Sequence, residues 1–123
     1  VKINTGDKEI YIAGVEDLKT RKPDIDKALS NTENPTILLS HSPDVFPSVP
    51  QKVNLTLAGH LHGGQIRLPF WGAITVPSKY GNRYTTGKIT EDDKAMIVTN
   101  GIGMSILPIR FNCPPEIVVI NFE

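Results

Sequence analysis

Apolar and polar residues alternate along residues 1–4 and 9–15, and Thr5-Gly6-Asp7-Lys8 between them has the residues of a tight turn. The pattern predicts an antiparallel hairpin. Residues 22–30 place Pro23, Asp24 and Asp26 ahead of Ile25, Ala28 and Leu29, which predicts a short helix. Asn34-Pro35 breaks the chain before Thr36-Ile37-Leu38-Leu39-Ser40, a short apolar run of the kind that forms a strand buried on both faces. Ser42 then offers an N-cap with Pro43 behind it, but Pro47 and Pro50 limit any helix there to a turn or two. Residues 53–58 alternate again and predict another strand.

From Ile66 to Tyr84 the pattern loosens around Pro69, Gly72, Pro77 and Gly81, which reads as a long loop or irregular hairpin bordering a site. Residues 84–90 and 94–99 flank Glu91-Asp92-Asp93 as a second hairpin, Asn100-Gly101-Ile102-Gly103 is a glycine-rich bend, and residues 116–122 read as a final strand. About six strands stand against one or two short helices, with mixed pairing expected. The fold class is therefore α/β with a strand-rich mixed sheet, and residues 1–123 are expected to form a single unit.

Composition narrows the function classes. Thirteen basic residues balance thirteen acidic ones, so the overall charge carries no footprint for nucleic acid or an anionic membrane. Cys113 is the only cysteine, which rules out an intrachain disulfide and leans towards a cytoplasmic setting. No apolar run is long enough to span a membrane. The chain opens at Val1 directly into patterned sequence, which suggests a piece of a longer protein whose missing part carries some of the function.

The candidate chemistry is concentrated in three histidines: His41 after the apolar run 37–39, and His60 and His62 after residues 53–58. Both places are the carboxyl ends of predicted strands, where α/β proteins build their sites. Neutral imidazole is a common ligand for Zn, Mn and Fe. Gly59, Gly63 and Gly64 around the pair would let the backbone bend sharply and approach an ion. The alternative is a pair of ordinary surface histidines beside a turn, and the third histidine at a strand end argues for metal.

Leu38-Leu39-Ser40-His41-Ser42-Pro43-Asp44 and Gly59-His60-Leu61-His62-Gly63-Gly64-Gln65 resemble the calcineurin-like metallophosphoesterases, which end their motif series with a lone His after a strand and then Gly-His-x-His. The closer likeness is to a bacterial phosphohydrolase branch with a Gly-His-x-His-Gly-Gly-Gln signature, extending through Asn100-Gly101-Ile102-Gly103 and residues 108–116. The resemblance implies the C-terminal part of a four-layer αββα sandwich and phosphoester hydrolysis by a metal-activated water between two divalent ions, Mn, Fe or Zn. By position, His41 and His60 look like ligands of one ion and His62 like a ligand of the other.

The family's earlier motifs, Asp-x-His, Gly-Asp-x-x-Asp and Gly-Asn-His-Asp/Glu, are absent from this chain. Three neutral imidazoles bring no negative charge to two dications. The piece alone is thus expected to bind metal weakly, to contain no catalytic residue beyond metal ligands, and to be inactive without an N-terminal half. A phosphoester, small-molecule or lipid-linked, is the implied substrate, and the parent protein could reach a membrane through a segment outside this chain. The isolated piece is expected to dimerise or exchange strands through its uncovered sheet.

Two alternatives are a non-catalytic binding or scaffold domain that uses Phe70-Trp71 as its contact, and a mononuclear three-histidine zinc site. Other residues carry bland expectations. Phe70 and Trp71 would plug the domain edge, with stacking on substrate as the alternative, and Arg67 and Arg110 would be solvated or ion-paired unless they meet a phosphate. Asp7 and Asp17 would be turn and loop acids, and Cys113 an inert packed thiol.

Overall fold

The computed structural model describes residues 1–121. Strands β1 (Lys2–Thr5) and β2 (Lys8–Gly14) form the expected hairpin, with Ile3 opposite Ile10. A single helical turn, α1 (Ile25–Ala28), is all that forms of the helix predicted over 22–30; the Asp24 carboxylate caps it by accepting from Lys27 N at 2.9 Å. One turn gains few hydrogen bonds of its own, so packing of Ile25 and Ala28 on the core holds it.

Strand β3 (Thr36–Leu39) lies parallel to β2, β4 (Leu55–Ala58) parallel to β3, and the hairpin β7 (Gly87–Glu91)–β8 (Lys94–Val98) joins so that β8 runs parallel to β4. The result is a six-stranded mixed sheet in the order β1-β2-β3-β4-β8-β7, and the class is α/β as expected. A separate two-stranded hairpin, β5 (Arg67–Leu68) and β6 (Gly72–Ala73), resolves the irregular stretch after the histidines.

Register decides which side chains are buried. Ala13, Leu38, Thr56 and Met96 pair across one face, and this face is covered. Val45, Phe46 and Val49, from the 3₁₀ segment 43–48 and its end, and Tyr84 from the 3₁₀ turn 81–84 pack against it. Full burial of side chains such as Leu38, Phe46 and Met96 stabilises by roughly 1.5–3 kcal/mol each. Lys94 is buried among them because its ammonium donates to the Phe46 and Val49 carbonyls at 3.3 and 3.0 Å and lies over the Phe46 ring.

The other face carries Ile12, Ile37, Leu39, Leu55, Leu57 and Ile97. It is covered in part by the tail, where Ile117, Val118 and Ile120 line a groove of about 350 Å³ with Leu57 and Ile97. β3 is buried on both faces, as its composition suggested, through Ile37 on this face and Leu38 on the other; only its last residue, Leu39, is exposed. The final strand predicted over 116–122 does not form over 116–121, which run irregularly without strand pairing; Phe122 lies outside the described residues. Among the described residues no helix is long and apolar enough to cross a membrane.

Candidate functional site

Four neighbouring strands, β2, β3, β4 and β8, all point the same way, so the loops leaving their carboxyl ends share one edge of the sheet. Asp17 follows β2, His41 follows β3, His60 and His62 follow β4, and Asn100 follows β8. Backbone hydrogen bonds continue the ladder into these loops: Val15 N to Leu39 O at 3.1 Å, Ser40 N to Leu57 O at 2.9 Å, Gly59 N to His41 O at 3.2 Å and Thr99 N to Ala58 O at 3.0 Å.

The loop after β4 is bent by an unusual run of left-handed backbone. His60 (φ 69°), His62 (φ 50°), Gly63 (φ 62°), Gly64 (φ 78°) and Gln65 (φ 55°) all lie in that region. For non-glycine residues this conformation costs about 1–3 kcal/mol each, and such strain gathers at functional sites. Leu61, 2% exposed, pins the loop between its two histidines. Gly63 is required twice over, because a Cβ there would collide with the Asn100 amide and the Cys113 thiol. At Gly64 it would collide with Ala73, whereas Gly59 has an ordinary φ and room beside Thr99.

His41 and His60 meet, with ring centroids 4.4 Å apart and planes tilted by 50°. The Nε2 of His60 is buried and has no hydrogen-bond partner. Burial holds the His60 imidazole below its ordinary pKa, positive charge at His41, Lys19 and His62 acts in the same direction, and Asp17 opposes. The ring is therefore held in the neutral form that ligates metals, with a nitrogen left over to do so. His62 lies beside the next loop, where a Cβ on Gly103 would stand 3.8 Å from its Cε1. Among the described residues no three His, Cys, Asp or Glu side chains gather into a group that could hold a metal ion by themselves. The donor set fits one side of a metal centre: two adjacent imidazoles, one with an orphaned nitrogen.

Asp17, expected to be only a loop acid, stands close enough that its charge acts on both His41 and His60. Its own carboxyl is held below the usual range. Desolvation works against this, but hydrogen bonds from the Lys19 backbone and the Thr20 hydroxyl, together with the charge of His41, outweigh it. The signal that could have found it is topological: Asp17 leaves the end of a strand parallel to the two that carry the histidines.

The arginines behave differently from either expectation. Arg110 is half-buried and pairs with no acid; its guanidinium donates to five backbone carbonyls, those of His62 (3.3 Å), Cys113 (3.2 Å), Asn100 (2.8 Å), Gly101 (3.2 Å) and Gly103 (2.5 Å). It staples the loop after β8 to the loop carrying His62. Arg67 donates to Gly63 O at 3.3 Å. Cys113 is the packed thiol expected, 2% exposed and donating to His62 O. Phe70 and Trp71 are not a plug: both stand in solvent at the tip of the β5–β6 hairpin.

Known proteins similar to this chain share a description. It is 42% identical over 118 residues to the Bacillus subtilis (strain 168) protein named uncharacterized metallophosphoesterase YkuE, covering 94% of this chain and 41% of that protein. A Helicobacter pylori (strain ATCC 700392 / 26695) protein named uncharacterized metallophosphoesterase is 38% identical over 122 residues, covering 91% of this chain and 32% of its own length. The Escherichia coli (strain K12) protein named phosphodiesterase YaeI is 34% identical over 95 residues, covering 75% of this chain and 34% of its own. The chain thus spans less than half the length of these curated relatives. No family model matches it, and no solved structure matches it.

Proposed function

The chain belongs to the metallophosphoesterase family, and from that premise we propose that the protein carrying it hydrolyses phosphoesters at a two-metal site of which these residues form one wall. In this reading His41 and His60 hold one divalent ion and His62 the other, while carboxylate ligands come from outside the 123 residues. The observation that carries it is the His41–His60 pair at 4.4 Å with the His60 Nε2 buried and unpartnered, at the carboxyl edge of parallel strands.

Divalent ions held by these histidines would supply Lewis acidity toward a phosphoryl group and would acidify a bound water. The residues of this chain bind and orient. His60 offers a neutral nitrogen at physiological pH. Asp17 places negative charge beside the imidazoles and offsets part of the cationic charge. Leu61 and the strained turn hold both histidines of the pair after β4 in place. The chain alone supplies too few ligands and is expected to be inactive.

The test uses the full-length protein. With Mn²⁺ it should hydrolyse a simple aryl phosphate and carry close to two ions per chain on elemental analysis, and His60→Ala or His62→Ala should abolish turnover. Unchanged turnover in both variants would overturn the reading. The exposed Phe70-Trp71 tip favours a second one, a binding domain without catalysis, and a protein that carries no metal and turns over no phosphoester would decide for it.

A further inference from the structure

His62 stands beyond the reach of the strand ladder that places the other two histidines. The last bonds of that ladder, Gly59 N to His41 O at 3.2 Å and Thr99 N to Ala58 O at 3.0 Å, fix the loops where His41 and His60 emerge. His62 lies past this point, in a left-handed conformation (φ 50°) that a residue other than glycine keeps only when its surroundings hold it there. The buried Leu61 pins the turn locally. The rest of the hold comes from the far end of the chain. The His62 carbonyl accepts not only from Gln65 N at 3.1 Å but also from Arg110 Nη1 at 3.3 Å and the Cys113 thiol at 3.4 Å.

Arg110 grips His62 from two directions. Its Nη1 donates to the carbonyls of His62 and Cys113, while its Nη2 donates to those of Asn100, Gly101 and Gly103 in the loop after β8. That loop runs beside the imidazole, since a Cβ on Gly103 would stand 3.8 Å from His62 Cε1. One planar guanidinium thus ties the backbone of His62 to the loop its ring lies against, a task for a rigid fork rather than a point charge. Among the described residues, none of its hydrogen bonds reaches His41 or His60.

We infer, resting on the two-metal reading above, that Arg110 is a positioning residue for His62, with Cys113 as a second support, and that they set the affinity of the ion His62 holds. The ion of His41 and His60 is left nearly untouched. A ligand fixed in place beforehand loses little freedom when the ion arrives, and partners behind a metal-binding histidine are worth about 10–100-fold in affinity. An arginine that served the fold alone would act on both ions alike or on neither.

Calorimetric titration of the chelator-stripped full-length protein with Mn²⁺ reads the two affinities, and His41→Ala and His62→Ala assign them. Arg110→Met should weaken the His62 site about 10–100-fold and leave the His41 site nearly unchanged. Arg110→Lys should recover part of the loss, and Cys113→Ala should weaken the same site several-fold; these milder variants decide the question if Arg110→Met does not fold. In the double variant His62→Ala with Arg110→Met the arginine should add nothing, because it acts through His62. Asp44→Ala, whose defect lies at Ser78 and Lys79, should keep both affinities. Equal weakening of both sites, parent affinities in the Arg110 and Cys113 variants, or tighter binding once the guanidinium is removed would overturn the inference. A parent that takes up fewer than two ions, or a His62→Ala variant with both affinities intact, would overturn the two-metal reading and the inference with it.

Discussion

The imidazole rings of His41 and His60 stand 4.4 Å apart because their strands, β3 and β4, are parallel neighbours, with Leu39 registered opposite Leu57. Each histidine follows the end of its strand, so the register delivers one ring beside the other. The backbone bond from Gly59 N to His41 O at 3.2 Å fixes the loops at this point.

This proximity gives stability a pH dependence. Burial, and then the charge of His41, holds the His60 imidazole below 6.5, its ordinary value. As pH falls, the unfolded chain takes up that proton before the folded one. The contribution is therefore complete above pH 6.5 and is lost as pH falls through the lower folded value. The denaturant midpoint should decline as pH falls below about 6.5, and His60→Gln should flatten part of the decline.

Gly63 and Gly59 flank the histidines but differ in what they tolerate. Gly63→Ala meets both a left-handed φ and a collision with Asn100 and Cys113, and should cost about 2–4 kcal/mol, within the range of overpacking plus strain. Gly59→Ala finds only ordinary contact with Thr99 and should change stability by about 0.5 kcal/mol or less. Thermal melting of the two variants checks the contrast, and an equal loss in both would contradict it.

Arg110→Met keeps much of the side chain's length but abandons five carbonyls. Charge-assisted hydrogen bonds contribute about 1.5–3 kcal/mol each in isolation and do not add, so a total loss of roughly 3 kcal/mol is expected. Arg110→Lys should recover only part of it, because an ammonium has three donors rather than a planar fork. Amide hydrogen exchange should rise at residues 101–103 in both variants; protection equal to that of the parent would show that the staple does not hold this loop.

Asp44 anchors the far side of the irregular stretch. Its buried carboxylate accepts from the Ser78 hydroxyl at 2.6 Å and from Lys79 N at 3.0 Å. Asp44→Ala leaves both donors without their partner and should destabilise by about 2–3 kcal/mol. Chemical denaturation gives the magnitude, and a change below that of a surface substitution would count against the anchoring role.

Local chemistry made several elements legible. Alternation with a Gly-bearing turn gave the β1–β2 hairpin, Ser42 with Pro43 gave the start of the 3₁₀ segment, and the polar turn at 91–93 gave β7–β8. The helix over 22–30 shrank to one turn because its apolar spacing is short. The strand expected over 116–122 has the right composition, yet residues 116–121 make no ladder, since a strand exists only through its partner.

The sequence by itself determined which residues are able to ligate and where the backbone must bend. His41, His60 and His62 follow apolar runs, and Gly63 and Gly64 make the sharp turn behind Gly59-His60-Leu61-His62 possible. Those properties depend on residue type and on neighbours a few positions away. Only the tertiary structure decided that Asp17 lies within electrostatic reach of the histidines, that Arg110 binds carbonyls rather than an anion, and that Phe70 and Trp71 face solvent. Each of these depends on strand order and register, which bring distant segments together and which no local pattern encodes.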